Sequence, residues 1–98
     1  MSKFGELISA NVPVLFNFFT NWNEDTVAMN EVLRNVAAAL GDKAKVIKID
    51  IEKNQELSEA LRIKGVPTFI IYKNGEMKWR QSGAQDDNTL IHQLQKFH

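Results

Sequence analysis

The chain contains no cysteine. That excludes disulfides and thiol catalysis outright, whatever the compartment. It also carries no net charge, twelve basic residues balancing twelve acidic ones. There is thus no electrostatic footprint for nucleic acid. No long apolar run opens it: the first ten residues hold one lysine and scattered hydrophobics. Neither a signal peptide nor a membrane anchor is visible, and a cytoplasmic location with no membrane partner is expected. No linker, repeat or low-complexity stretch interrupts the chain. What is present is a 98-residue sequence with 44% apolar and 24% charged residues. That is one domain, residues 1–98, with a single core.

Glycine and proline are sparse, five and two, and the punctuation is easily read. Phe4, Leu7 and Ile8 suggest a short N-terminal helix. Within Val12–Thr20, the run Val14-Leu15-Phe16-Asn17-Phe18-Phe19 has one polar interruption, the pattern of a strand covered on both faces. Met29, Val32, Leu33, Val36, Ala37 and Leu40 form one stripe of a helix predicted from about Glu24 to Leu40, stopped by Gly41-Asp42. Val46–Ile51 reads as a second strand with Ile47, Ile49 and Ile51 on one side. Leu57, Ala60 and Leu61 mark a short helix ended by Gly65, before the buried strand Thr68–Tyr72. Asn74-Gly75 is a strong hairpin signal, so Met77–Gln81 returns antiparallel with Met77, Trp79 and Gln81 expected on one face. Asp86 or Asp87 can cap a final helix with Leu90, Ile91, Leu94 and Phe97 on its apolar side. This order of elements gives an α/β domain, a mixed sheet with helices on both faces.

Three segments are more specific: Trp22-Asn23-Glu24-Asp25-Thr26 between the first strand and the long helix, Lys64-Gly65-Val66-Pro67-Thr68, and Tyr72-Lys73-Asn74-Gly75-Glu76. In this order and spacing they resemble the thioredoxin family, over roughly Val12 to Phe97. In that family the first junction reads Trp-Cys-Gly-Pro-Cys. The resemblance implies a thioredoxin-like fold with a four-stranded sheet, the additional N-terminal strand of full thioredoxins being absent. Lys45–Ile51 then lies at a sheet edge. Lys43, Lys45 and Lys48 would blunt that edge against aggregation; the sharper reading is a docking edge for a partner strand or a second copy.

The resemblance also says what is missing. Asn23 and Thr26 stand at the two cysteine positions, and an amide or a lone hydroxyl cannot carry out thiol–disulfide exchange. The family's buried aspartate in the preceding strand is matched by Asn17, an amide able to keep hydrogen bonds but not to take a proton. Lys48, matching the lysine beside that aspartate, is left without a charge partner. The chain is therefore expected not to be a thiol oxidoreductase. No nucleophile, base and orienting group are grouped for other chemistry, and neither cofactor nor metal is expected. Asn23 or Asp25 could cap the long helix, with acids complementing its dipole. Glu24 and Asp25 could alternatively contribute to a hard-cation site, though so few adjacent residues rarely supply enough ligands. His92 and His98 do not share a helix face and read as surface residues.

In the family the substrate lies as an added strand against the backbone before a cis-proline. The matching positions are Val66-Pro67, flanked by Trp22 and by Ser82-Gly83-Ala84. A cis Val66–Pro67 bond is expected from the resemblance alone, since roughly one X–Pro bond in twenty is cis. Two readings of this groove stand beside each other. Trp22, Val66, Pro67, Gly83 and Ala84 either bind an extended peptide of a partner protein, or Pro67 and Trp22 persist for folding. Trp79 is expected to pack beneath the last helix. The preferred function is a non-redox protein-binding module of adaptor or chaperone-like type. The alternative is a structural subunit or homodimer docking through the exposed strand edge.

Overall fold

The most apolar segment of the chain forms the middle of the sheet. In the computed structural model, which describes residues 3–98, β1 (Val14–Phe19) is buried at every position except the half-buried Phe19. It pairs in parallel with β2 (Lys45–Asp50) and antiparallel with β3 (Thr68–Lys73). β4 (Glu76–Ser82) returns antiparallel to β3, giving the order β2-β1-β3-β4. The sheet is four-stranded and mixed, with β2 at one edge, as the resemblance implies. The fold is thioredoxin-like.

Period-two alternation in β1 divides the core between two faces. Leu15 points with Phe69 and Ile71 toward α2 (Thr26–Leu40) and α4 (Asp87–Lys96), meeting Met29, Leu33, Val36, Leu90 and Leu94. Trp79 packs against this cluster, beneath the last helix as expected. Val14, Phe16 and Phe18 point the other way, with Ile49, Ile70 and Tyr72, toward α1 (Lys3–Ile8) and α3 (Gln55–Ala60). Ile47 and Ile51 join Ile49 on that side. α1 has no fully buried residue, yet it is held firmly. Phe4 tilts against Phe16 at 5.1 Å between centroids and meets Tyr72 edge-on at 5.5 Å.

The hairpin explains a second anchor for the N-terminal segment. Asn74 and Gly75 both have positive φ, 53° and 83°, the type I′ geometry whose twist matches antiparallel strands. Their N–H groups are directed outward and donate to Ala10 and Ile8 at 3.0 and 2.8 Å. A bulge opposite Ile71 and Tyr72 corrects one expectation. Trp79 pairs with Ile71 and Met77 with Tyr72, adjacent residues that face opposite sides of the sheet. The extra residue in β4 therefore puts Met77 on the face away from Trp79 and Gln81, where its side chain is exposed.

Termini of the helices are closed by identifiable groups. Gly41, at φ 56°, ends α2 and donates its N–H to Ala37. Arg80 reaches back from β4 to donate to the carbonyls of Leu61 and Arg62, capping the end of α3. Of the two candidate caps for α4, Asp86 is the one used: its Oδ1 accepts from the Thr89 N–H at 2.8 Å. Hydrogen bonding from Thr89, side chain first and backbone N–H second, holds the Asp86 carboxyl below the ordinary aspartate range. Among the described residues no helix is long and apolar enough to cross a membrane.

Phe16 is fully buried and touches three other rings, those of Phe4, Phe18 and Tyr72. Phe16→Ala should cost about 3–5 kcal/mol of stability, the usual range for emptying a buried aromatic site. Urea unfolding followed by circular dichroism measures it; a loss below about 1 kcal/mol would mean that the layer beneath α1 can collapse onto the cavity.

Candidate functional site

The junction after β1 is held by local hydrogen bonds centred on one carbonyl. Thr20, buried at the end of the strand, accepts from the Asn23 N–H at 3.3 Å and from Thr26 Oγ1 at 2.6 Å. Asn23 Oδ1 accepts from the Asp25 N–H at 2.8 Å, the turn that asparagine favours two residues before its partner. The Asn23 carbonyl accepts from the Thr26 N–H at 3.2 Å. These turns occupy the residues up to Asp25, so α2 begins at Thr26 rather than near Glu24.

The capping expectation is met only in part. Asn23 binds the N–H of Asp25, ahead of the helix, and the Asp25 carboxylate accepts no cap hydrogen bond. The reason is backbone geometry: Asp25 already has helical φ and ψ, −82° and −8°, whereas a capping side chain is normally presented from an extended residue. No acid lies in the first turn of α2. Glu24 is exposed, and the described residues contain no cluster of three or more histidine, aspartate or glutamate side chains able to hold a metal ion. His92 and His98 are exposed on and after α4.

Beneath the junction the positions that would carry proton transfer are filled by neutral groups. Asn17 is 1% exposed and its Oδ1 has no hydrogen-bond partner. The amide therefore does not keep the hydrogen bond expected for that oxygen. Thr20 Oγ1 is unpartnered as well. The space between Asn17, Thr20, Asn23, Thr26, Val66 and Pro67 is too small for a water molecule. Lys48 lies opposite Asn17 in the β1–β2 ladder, but its ammonium sits over the Phe19 ring, 5.0 Å from the centroid.

The second and third segments close on the first. The Val66–Pro67 peptide bond is cis. The Gly83 N–H donates to the Pro67 carbonyl at 2.8 Å, with Gly83 at φ 93°, where a side chain would be strained. Thr68 Oγ1 donates to the Gly65 carbonyl at 2.6 Å and lies 3.3 Å from Ser82 Oγ. Asn23 Nδ2 points at the Val66 carbonyl, 3.4 Å away, long for a hydrogen bond. The Val66 N–H has no partner among the described residues. The structure thus brings Asn23, Val66, Pro67, Gly83 and, by chain continuity, Ala84 to one place. Gly83 and Ala84 are exposed, Val66 half-buried and Pro67 buried.

Trp22 adjoins Asn23 in the chain, and its indole is turned toward the residues that follow β2. The residue is 72% exposed, and its Nε1 donates to Glu52 Oε1 at 3.1 Å. Asn21 Nδ2 donates to Asp50 Oδ2 at 3.2 Å, and Asp50 Oδ1 accepts from the Glu52 N–H at 2.9 Å. Sequence reasoning missed Asn21, Asp50 and Glu52. The signal was the parallel register: Phe19 pairs with Asp50, so residues following each strand meet at the same end of the sheet.

A thioredoxin family model matches residues 1–96. The chain belongs to the thioredoxin family. It is 40% identical over 95 residues to the chloroplastic thioredoxin Y of Oryza sativa, covering 96% of this chain and 56% of that protein. With the thioredoxin of Rickettsia bellii it shares 30% identity over 86 residues, 88% of this chain and 82% of that one. Among solved structures, a mutant thioredoxin from Halobacterium salinarum superposes with a TM-score of 0.89 at 28% identity, covering 99% of this chain and 84% of that chain. The chain thus spans little more than half of the rice protein. Family membership here comes without a thiol anywhere in the sequence, and disulfide exchange by the family's dithiol route has no attacking group.

Asn17 offers a test of how dry the site beneath the junction is. In Asn17→Asp the burial of residue 17 should raise the carboxyl pKa above its unfolded value of about 3.9. The native state then holds a proton that the unfolded state has lost. Stability relative to the parent chain is fully present below about pH 4 and is lost as pH rises through the raised pKa, about 1.4 kcal/mol for every pH unit that separates the folded and unfolded values. Urea unfolding at acidic and neutral pH measures the difference; equal destabilisation at both would show that residue 17 is solvated.

Proposed function

We propose that this chain is a redox-inactive thioredoxin-fold module that binds an extended segment of a partner protein in the groove formed by Trp22, Val66, Pro67, Gly83 and Ala84. It acts as an adaptor or holding domain, without cofactor and without thiol chemistry. The observation that carries this reading is the state of Trp22. A tryptophan kept only to cover a helix end would bury most of its ring, but this one leaves 72% of its surface to solvent. Its single donor is meanwhile engaged by Glu52, so the ring is oriented before any partner arrives. An oriented, exposed aromatic loses little freedom on binding and makes an effective anchor.

The backbone beside it supports the same reading. An extended peptide docks by pairing main-chain groups with an unfilled donor and acceptor. The Val66 N–H is unpaired among the described residues, and its carbonyl is held only by the long contact to Asn23. Asn23 can release that carbonyl while keeping its turn, because the turn uses Oδ1 rather than Nδ2.

Selection of a random-peptide display library against the native chain should enrich a family of extended ligands. Trp22→Ala should weaken the best of them by about thirtyfold, the loss of roughly 2 kcal/mol that marks an anchor residue. Its melting temperature should stay that of the parent, since so exposed a ring contributes little to the core. Unchanged affinity in folded Trp22→Ala, or a library that yields no ligand, would remove the groove from consideration.

A further inference from the structure

Among the described residues β2 is unpaired along its outer side, and the register identifies the outward-facing groups. Lys45 and Ile51 give their N–H groups to the carbonyls of Pro13 and Phe19, both at 3.0 Å. Since successive residues in a strand address opposite sides, Val46, Lys48 and Asp50 turn their N–H groups outward. The Asp50 carbonyl is taken by Asn54 Nδ2. No described residue pairs with the backbone of Val46 or Lys48 on that side. These are the groups onto which a further strand would bond.

Each face of the sheet carries a cleft beside this edge, and the two differ in chemistry. On the side of α1 and α3, a mainly apolar cleft of about 250 Å³ is lined by Phe4, Leu7, Ile47, Ile49 and Leu57, together with Lys3, Lys48 and Asn54. On the side of α2, one of about 330 Å³ is lined by Val46 and Leu33 and flanked by the cations Arg34 and Lys48. Neither cleft is lined by a carboxylate. A strand laid along β2 would send alternate side chains to these two faces.

The geometry points to a second docking site: the β2 edge takes an amphipathic, acidic extended segment of a partner protein as a fifth strand. Its apolar side chains fill the cleft of Phe4, Ile47, Ile49 and Leu57, and its carboxylates meet Arg34 and Lys48. Charge selects this occupant over a second copy of the chain. Two β2 edges brought together would place both sets of Lys45, Lys48 and Arg34 along one seam, against a single strand carboxylate per copy, Asp50, which already accepts from Asn21 and the Glu52 N–H. The site shares no residue with the Trp22 groove and stands whether or not that groove binds.

The probe is an eight-residue, end-blocked peptide of alternating valine and glutamate, titrated into the full chain at low ionic strength. Binding is followed by calorimetry and by backbone amide resonances. The Val46 and Lys48 amides should shift and become protected from hydrogen exchange, and added salt should weaken binding. The double variant Arg34→Glu, Lys48→Glu, which leaves the backbone intact, should bind at least tenfold more weakly. Lys48→Pro, which deletes one outward N–H at an edge position that tolerates proline, should abolish binding. Trp22→Ala should leave it unchanged. The assignment is overturned if a peptide of the same composition without the alternation binds equally, if charge reversal has no effect, or if the native chain does not bind the probe. Sedimentation showing a dimer that the charge-reversed or proline variant dissolves would give the edge to a second copy and overturn it as well.

Discussion

Everything in this domain hangs on β1 being enclosed on all sides. Two strands flank it and helices cover both its faces, so nearly every side chain along it is buried. Such a strand orders its neighbours by what it buries. Leu15 organises the layer of α2 and α4, while Phe16 and Phe18 organise the layer of α1 and α3. Where the strand ends, the chain must leave a dry interior, and the buried Thr20 carbonyl is satisfied by Asn23 and Thr26. The two residues at the family's cysteine positions thus have structural work independent of any reaction.

That arrangement separates two properties the thioredoxin scaffold normally combines. The chemistry needs a thiolate and a proton acceptor beneath it; the sequence supplies an amide, a hydroxyl and a second amide. The proposed binding of an extended segment needs an exposed anchor, an accessible strip of backbone and a loop that leaves room beside it. Trp22 is exposed, Val66 has a free N–H among the described residues, and Gly83 is pinned to Pro67. An Asn17 oxygen without a partner is a residual cost in a core that has no thiol chemistry to justify it.

Much of this is legible in the sequence alone. The fold class, the hairpin and a cap at Asp86 or Asp87 follow from apolar periodicity, turn residues and capping chemistry, because each depends on neighbours in sequence; the strand at the edge follows from the family resemblance. The groove residues and the cis bond come from resemblance alone; no local rule finds them. Two features escape. Met77 faces away from Trp79 because a bulge adds one residue to β4, and nothing in Met77-Lys78-Trp79 distinguishes a bulged strand from a regular one. The Trp22–Glu52 and Asn21–Asp50 pairs join residues about thirty positions apart, and only the parallel register of β1 and β2 brings them together.

The central claim is that the groove has kept its shape for an extended chain while losing its reactive groups. It is tested most directly by returning the thiols to the junction through Asn23→Cys, Glu24→Gly, Asp25→Pro and Thr26→Cys, and by measuring insulin reduction with a dithiol regenerating system. If the groove still receives a polypeptide segment, the parent chain shows no acceleration over buffer and the four-residue variant shows clear catalysis, slowed by the amide at Asn17. A folded variant with both thiols titratable and no activity above buffer would contradict the claim.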